Sequence, residues 1–239
     1  PSSAASDVYK RQKPLIGVHL HGRPISSDAA DQYLNAILEA WNPSEAGAFA
    51  ITSTLKGTNN PSGKLPVSVA YNAGQIPIYY NHPNGSAYHQ ARSIGFQNYV
   101  DRPHTPRYFF GHGLSYTHYD YTNLTLSQTQ VAPGANLKIS FDLKNSGSVA
   151  GTEIVQLYLS DRYASMTRPV MELVGFARVP LKAVEQKKIT FTVEPSVMAF
   201  LDKNMQWKIE KGDIDIKVGA SSNDIRCEGH FNITEDLFI

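Results

Sequence analysis

Five of the eight histidines in this 239-residue sequence, His82, His89, His104, His112 and His118, fall close together. Such a cluster first suggests metal chemistry. Their spacings match no zinc pattern, and no HExxH frame sets a carboxylate between two of them, so no metal site is expected. Ser115, in Gly113-Leu114-Ser115-Tyr116, lacks the G-x-S-x-G frame of a nucleophile elbow. Glu45 falls at a predicted helix start, where the macrodipole favours a carboxylate without any catalytic duty. Glu39, Glu153 and Glu172 are equally without support as acid or base. Cys227 is the single cysteine, which rules out an internal disulfide and a cysteine-based metal knuckle. It falls in an alternating apolar pattern and reads as a small core residue. No cofactor is implied.

The segment from His82 to Arg107 has a different chemistry. It holds Tyr88, Phe96 and Tyr99, with Tyr108 directly after it, alongside His89, Gln90, Arg92 and Asn98. Aromatic faces beside planar polar groups are how hydroxyl-rich ligands such as sugars are held, and loops on a rigid scaffold often supply them. Tyr88, His89, Arg92 and Asp101 are therefore the candidate ligand-binding residues. Asp101, within Tyr99-Val100-Asp101-Arg102-Pro103, can reach a sugar hydroxyl or a loop arginine, Arg102 or Arg107.

The elements that must hold this segment come in two textures. Leu15-Ile16-Gly17-Val18-His19-Leu20 reads as a short buried strand. Ser27 or Asp28 can cap a helix with apolar positions at Tyr33, Ile37, Ala40 and Trp41, ended by Asn42-Pro43. Ser44 then caps a second helix, with Glu45 in its first turn, and Gly57 stops it. Residues 13–66 thus predict one strand and two helices, too few for a covered sheet. Residues 67–117 show no clear periodicity but are too aromatic for a flexible linker. From about Thr122 the period becomes two. Leu137, Ile139, Phe141 and Leu143 share a face, as do Val155, Leu157 and Leu159; Ile189, Phe191 and Val193; and Ile214, Ile216 and Val218. Turn signals separate them, which predicts an antiparallel sandwich.

Residues 2–12 are a special case. Ser2 to Gln12 can be encoded by a transposase-type sequencing adapter read through as codons, so residues 1–12 are expected to be a cloning or assembly scar. The formal net charge of +1 carries no basic block, which argues against nucleic acid as the main partner. No apolar run approaches the ~18 residues of a membrane span.

Three strings are jointly specific: Asn60-Pro61-Ser62-Gly63-Lys64-Leu65-Pro66, Tyr108-Phe109-Phe110-Gly111-His112-Gly113-Leu114-Ser115-Tyr116-Thr117, and Val155-Gln156-Leu157-Tyr158-Leu159-Ser160-Asp161 followed by Glu172-Leu173-Val174-Gly175-Phe176 and Arg178-Val179. With Gly74-Gln75-Ile76-Pro77-Ile78-Tyr79-Tyr80-Asn81 between the first two, this order resembles the C-terminal half of family 3 glycoside hydrolases, of the β-glucosidase or β-xylosidase type. His112 stands where the family usually has an aromatic residue.

The resemblance implies a mixed fold, a partial α/β sandwich remnant followed by an all-β fibronectin-III/immunoglobulin-like sandwich. It implies domains over 13–80 (α/β), 81–118 (ordered connecting segment) and 119–239 (sandwich). Retaining glycosidases need two carboxyl groups about 5–5.5 Å apart. In the family, the nucleophile Asp lies in an N-terminal barrel and the acid/base Glu lies upstream of the strand at Leu15. No catalytic residue is therefore expected in this chain, and the missing barrel is its expected partner, acting on β-glucoside or β-xyloside oligosaccharides. A non-catalytic fibronectin-III-like binding module is the competing reading.

Overall fold

A computed structural model describes residues 13–86, 99 and 101–239. Strand β1 (Ile16–Leu20) lies parallel to β2 (Ala36–Trp41), with Ile16 opposite Ala36 and His19 opposite Glu39. Between them runs helix α1 (Asp28–Tyr33). The Ser27 hydroxyl accepts from the Ala30 amide, as an N-cap should.

The predicted helix through Trp41 is wrong beyond Tyr33. The reason is local to Asn35. Its side-chain oxygen accepts from the Leu15 amide at 3.0 Å, and its own amide donates to the Leu15 carbonyl at 2.8 Å. This clamp turns the chain back beside β1, and Ala36-Ile37-Leu38 continues as strand rather than helix. The three-to-four spacing was compatible with both, and the neighbouring strand decided it.

Helix α2 (Gly47–Leu55) starts later than expected. Ser44 has φ +59° and its hydroxyl accepts from the next amide, Glu45, so it makes a turn and not a helix cap. Glu45 precedes the helix and is exposed. Gly57, at φ +74°, ends α2 as predicted.

The C-terminal portion is the predicted sandwich. Strands β3 (Tyr119–Leu126), β5 (Leu137–Asn145) and β8 (Gln186–Val193) form one sheet in the order β3-β5-β8. The other runs β4-β12-β11-β6-β7. Its members are β4 (Gln130–Val131), β6 (Gly151–Asp161), β7 (Glu172–Leu181), β11 (Gly212–Ser221) and β12 (Asp224–Ile233). Short strands β9 (Phe200–Leu201), β10 (Trp207–Ile209) and β13 (Leu237–Phe238) make a third, small sheet.

The alternating residues of the sequence analysis meet in one core. Leu137, Ile139, Phe141 and Leu143 face Val155, Leu157, Leu159, Ile214, Ile216 and Val218, all buried. The Phe141 ring stacks between Tyr121 and Phe191, with centroids at 5.8 and 6.4 Å. Cys227 is half-buried against this core, and burial pushes its thiol pKa up. It is a packing residue, and its raised pKa keeps it from being a ready thiolate.

The three family-like strings converge on one seam between the α/β portion and the sandwich. Asn60 makes three hydrogen bonds there through its side-chain amide. It donates to the Ala150 carbonyl at 3.0 Å and accepts from the Ser115 hydroxyl and the Tyr116 amide. Leu65 exchanges backbone hydrogen bonds with Gly111 and His112. Lys64 donates to the Gly113 carbonyl at 3.0 Å and lies 3.4 Å from the Glu153 carboxylate on β6. Gln156, three residues further along β6, donates to the carbonyls of Gly111 and Ala220 and accepts from Tyr158. Tyr80 stacks on Phe110 at 4.2 Å and accepts from the Leu173 amide. These motifs are the stitching that holds two folding units in one geometry, so their chemistry is structural.

Candidate functional site

In open parallel α/β sheets, ligands bind outside the carboxyl ends of the strands. Two side-chain clusters meet that description. The first lies on the strands themselves. His19 and His21 are two residues apart on β1 and its extension, hence on one face. The parallel register sets Glu39 opposite His19. His19 Nδ1 lies 2.6 Å from Glu39 Oε1, and His21 Nε2 contacts Glu39 Oε2. The His21 ring packs on Trp41 with centroids 5.0 Å apart. These residues lie outside the group of later histidines that the sequence pattern singles out. The His19-Leu20-His21 alternation in a predicted strand was the available signal.

The second cluster begins at α1, whose N-terminus follows β1. Arg107 contacts both Asp28 and Asp31, Arg102 lies 2.6 Å from Asp28, and the Tyr108 hydroxyl donates to Asp31 at 2.6 Å. The Arg107 guanidinium also covers the Tyr71 ring at 4.4 Å. Two carboxylates in the first turn of a helix are favoured by its macrodipole, and here they bind the chain that returns from the connecting segment. Hydrogen bonding from Arg107, then the charge of Arg102, holds the Asp28 carboxyl below the ordinary aspartate range. Asp28 is thus a committed anion and cannot act as a proton donor near neutral pH.

Of the sequence-predicted ligand residues, Tyr88, His89 and Arg92 lie outside the described residues. Asp101 is exposed at the edge of that segment. The expected ion pair between Asp101 and Arg102 or Arg107 is not formed. Both arginines turn instead to α1, because two helix-anchored carboxylates offer a bidentate target that a single loop carboxylate does not. Gln75 fixes the same region from below, donating to the Pro103 carbonyl at 2.7 Å and accepting from the Tyr71 amide at 2.5 Å. The C-terminal end of the candidate loop is therefore pinned to the α/β portion, whereas its start bonds to the sandwich, Val170 donating to the His82 carbonyl at 3.0 Å and Asn84 to the Arg168 carbonyl at 3.2 Å.

Glu153 has a carboxyl pushed above its usual range by burial, partly offset by Lys64. It is only 3% exposed, beneath Tyr121 and Lys64, where no sugar ring can enter.

The chain matches the glycosyl hydrolase family 3 C-terminal domain over residues 2–116 and a fibronectin type III-like domain over residues 153–222. This chain belongs to glycosyl hydrolase family 3. The first match begins within the stretch that the codon reading sets aside. A periplasmic β-glucosidase of Salmonella typhimurium is 36% identical over 223 residues, covering 92% of this chain and 29% of that protein. A putative β-xylosidase of Formosa agariphila is 33% identical over 215 residues, covering 90% of this chain and 27% of that protein. Among solved structures, a β-glucosidase from Listeria innocua in complex with glucose superposes with a TM-score of 0.89 at 31% identity. It covers 97% of this chain and 32% of that one. The chain thus spans under a third of the length of these relatives. The mixed fold of α/β portion and fibronectin-III-like sandwich follows the family pattern. His112 keeps the ring of the family's aromatic residue, stacking on Tyr108 with centroids 5.5 Å apart.

Proposed function

We propose that this chain is the C-terminal portion of a retaining β-glycosidase that hydrolyses terminal, non-reducing β-D-glucosyl or β-D-xylosyl residues, and that alone it is inactive. The observation carrying this reading is the parallel pair β1-β2, which has no third strand among the described residues. Parallel strands are ordinarily buried on both faces. Here Ile16 and Leu20 of β1 are 52% and 61% exposed, and Phe49 of α2 is 80% exposed. These apolar surfaces fit a chain that packs against further α/β structure and a barrel. The fibronectin-III-like sandwich then acts as a frame, stitched to the α/β portion through Asn60, Lys64 and Gln156.

Retention requires a carboxylate nucleophile and a carboxylic acid about 5–5.5 Å apart. Asp28 and Asp31 are held by arginines, Glu39 by two imidazoles, and Glu153 is buried. That commitment supports a nucleophile and acid/base supplied from outside these residues. The connecting segment with Tyr88, His89, Arg92 and Asp101 borders the substrate entrance in this reading, its C-terminal end anchored by Arg102 and Arg107.

A chimera tests both parts. The C-terminal third of the Salmonella relative is replaced by residues 13–239 of this chain. The purified chain alone should give no turnover of an aryl β-glucoside or β-xyloside, whereas the chimera should turn over one of them. Turnover by the chain alone would reject the inactive-portion reading, and a folded but inert chimera would reject the supporting role. Tyr88→Ala and Arg92→Ala in an active chimera should raise KM; unchanged kinetics on aryl and oligosaccharide substrates would discard the entrance loop.

A further inference from the structure

We propose that His19, His21 and Glu39 bind a single divalent cation of the zinc class, independently of the glycosidase reading. The three side chains come from two parallel strands, and their donor atoms all lie within 4.8 Å of one another. The strand register produces this convergence. His19 and Glu39 are direct partners, and the register shift after His19 brings Leu20 opposite Trp41. The His21 amide then donates to the Trp41 carbonyl at 2.9 Å. The shift carries the second imidazole to the free oxygen of the same carboxylate, so each oxygen meets one ring nitrogen.

Two imidazoles and one carboxylate suit zinc and its neighbours rather than magnesium or calcium, which prefer all-oxygen shells. Metal–ligand bonds of about 2.0–2.2 Å need the donor atoms to spread by only about an ångström from their hydrogen-bonded separations. Burial is graded in the way that a partly open site requires. The His21 side chain is 4% exposed, while those of His19 and Glu39 are 21% and 25% exposed, which leaves a solvent position for a fourth ligand. Trp41 backs the His21 ring and limits its rotation. His21 Nδ1 is buried and has no hydrogen-bond partner among the described residues. A dication held between the imidazoles and the carboxylate would offset the desolvation of these groups. A bound ion would cross-link the carboxyl ends of β1 and β2, where the α/β portion has no third strand among the described residues.

The test uses the metal-free 239-residue chain without a polyhistidine tag, titrated with Co²⁺ and followed by visible absorption. One equivalent of Co²⁺ should produce saturable d–d bands of low coordination number, displaced by Zn²⁺. His19→Gln and Glu39→Gln alter half-buried positions and should keep the far-UV circular dichroism. Each should weaken binding at least 10–100-fold, the loss typical of removing even an outer-shell partner. Absence of saturable Co²⁺ binding would overturn the site. Binding that survives equally in both variants would also overturn it, by moving the ion to other histidines.

Discussion

Replacing Lys64 by methionine should lower the free energy of unfolding by about 3–5 kcal/mol near neutral pH, because it leaves a buried carboxylate without its cation. Glu153 is 3% exposed, and its side chain meets Lys64 at 3.4 Å and the Tyr121 hydroxyl at 3.0 Å. Methionine keeps most of the volume but removes the charge and the hydrogen bond to the Gly113 carbonyl. The pH dependence gives the mechanism away. Burial already raises the folded-state pKa of Glu153 above 4.5, and Lys64 opposes that rise. Without Lys64 the pKa rises further. A raised folded-state pKa contributes stability below the unfolded value and loses it as pH rises through the folded one. The variant should therefore lie closest to the parent protein at acid pH and diverge as pH increases. His112 adds to the same trend. Burial, then the Lys64 charge, holds its pKa below 6.5, so removing Lys64 eases its protonation in the folded state. Urea unfolding of both proteins at pH 5 and pH 8 measures the effect. Adding Glu153→Gln to the variant should recover most of the loss, since a neutral amide still accepts from Tyr121. Equal, small losses at both pH values would contradict a buried ion pair at the seam.

Gly111→Ala should cost about 3 kcal/mol. Gly111 has φ +80°, a left-handed conformation that costs an L-residue roughly 1–2 kcal/mol. An added Cβ would also collide with the Gln156 side chain, which is 3% exposed. That amide holds the carbonyls of Gly111 and Ala220 and the Tyr158 hydroxyl. Displacing it leaves buried polar groups unpaired at about 1–3 kcal/mol. A Cβ added at Gly134 would meet nothing within 4 Å, so Gly134→Ala should be nearly neutral. Similar midpoints in urea for the two variants would show that the seam around Gly111 can relax, contrary to its packing.

Both experiments probe the seam, and the seam explains why the strings of the sequence were informative. Asn60, Lys64, Gly111 and Gln156 are polar or glycine residues with no hydrophobic period to betray them. Their identities are fixed by contacts between segments 45 to 90 residues apart in sequence, such as Asn60 with Ala150 and Gln156 with Gly111. Sequence reasoning reached them only through a family resemblance. Their geometry, a carbonyl here and a buried carboxylate there, needed the fold.

The sandwich was different. The faces of Leu137 to Leu143 and Ile214 to Val218 were legible because a strand alternates whatever its neighbours do, and one wet face keeps the period visible. The helix stops at Gly57 and the cap at Ser27 were likewise local, set by one residue's φ or one hydroxyl. What only tertiary structure decided were the elements whose local signals were ambiguous. Ala36–Trp41 became a strand because Leu15 and β1 offered hydrogen bonds to Asn35 and the residues beyond it. Arg102 and Arg107 chose Asp28 and Asp31 over the adjacent Asp101 because α1 presents two carboxylates together. His19, His21 and Glu39 met because a parallel register and one irregularity brought them together. Local sequence determines periodicity and caps through short-range sterics and hydrogen bonds. Which distant groups become partners depends on the packing of whole elements, and that information is spread over the chain.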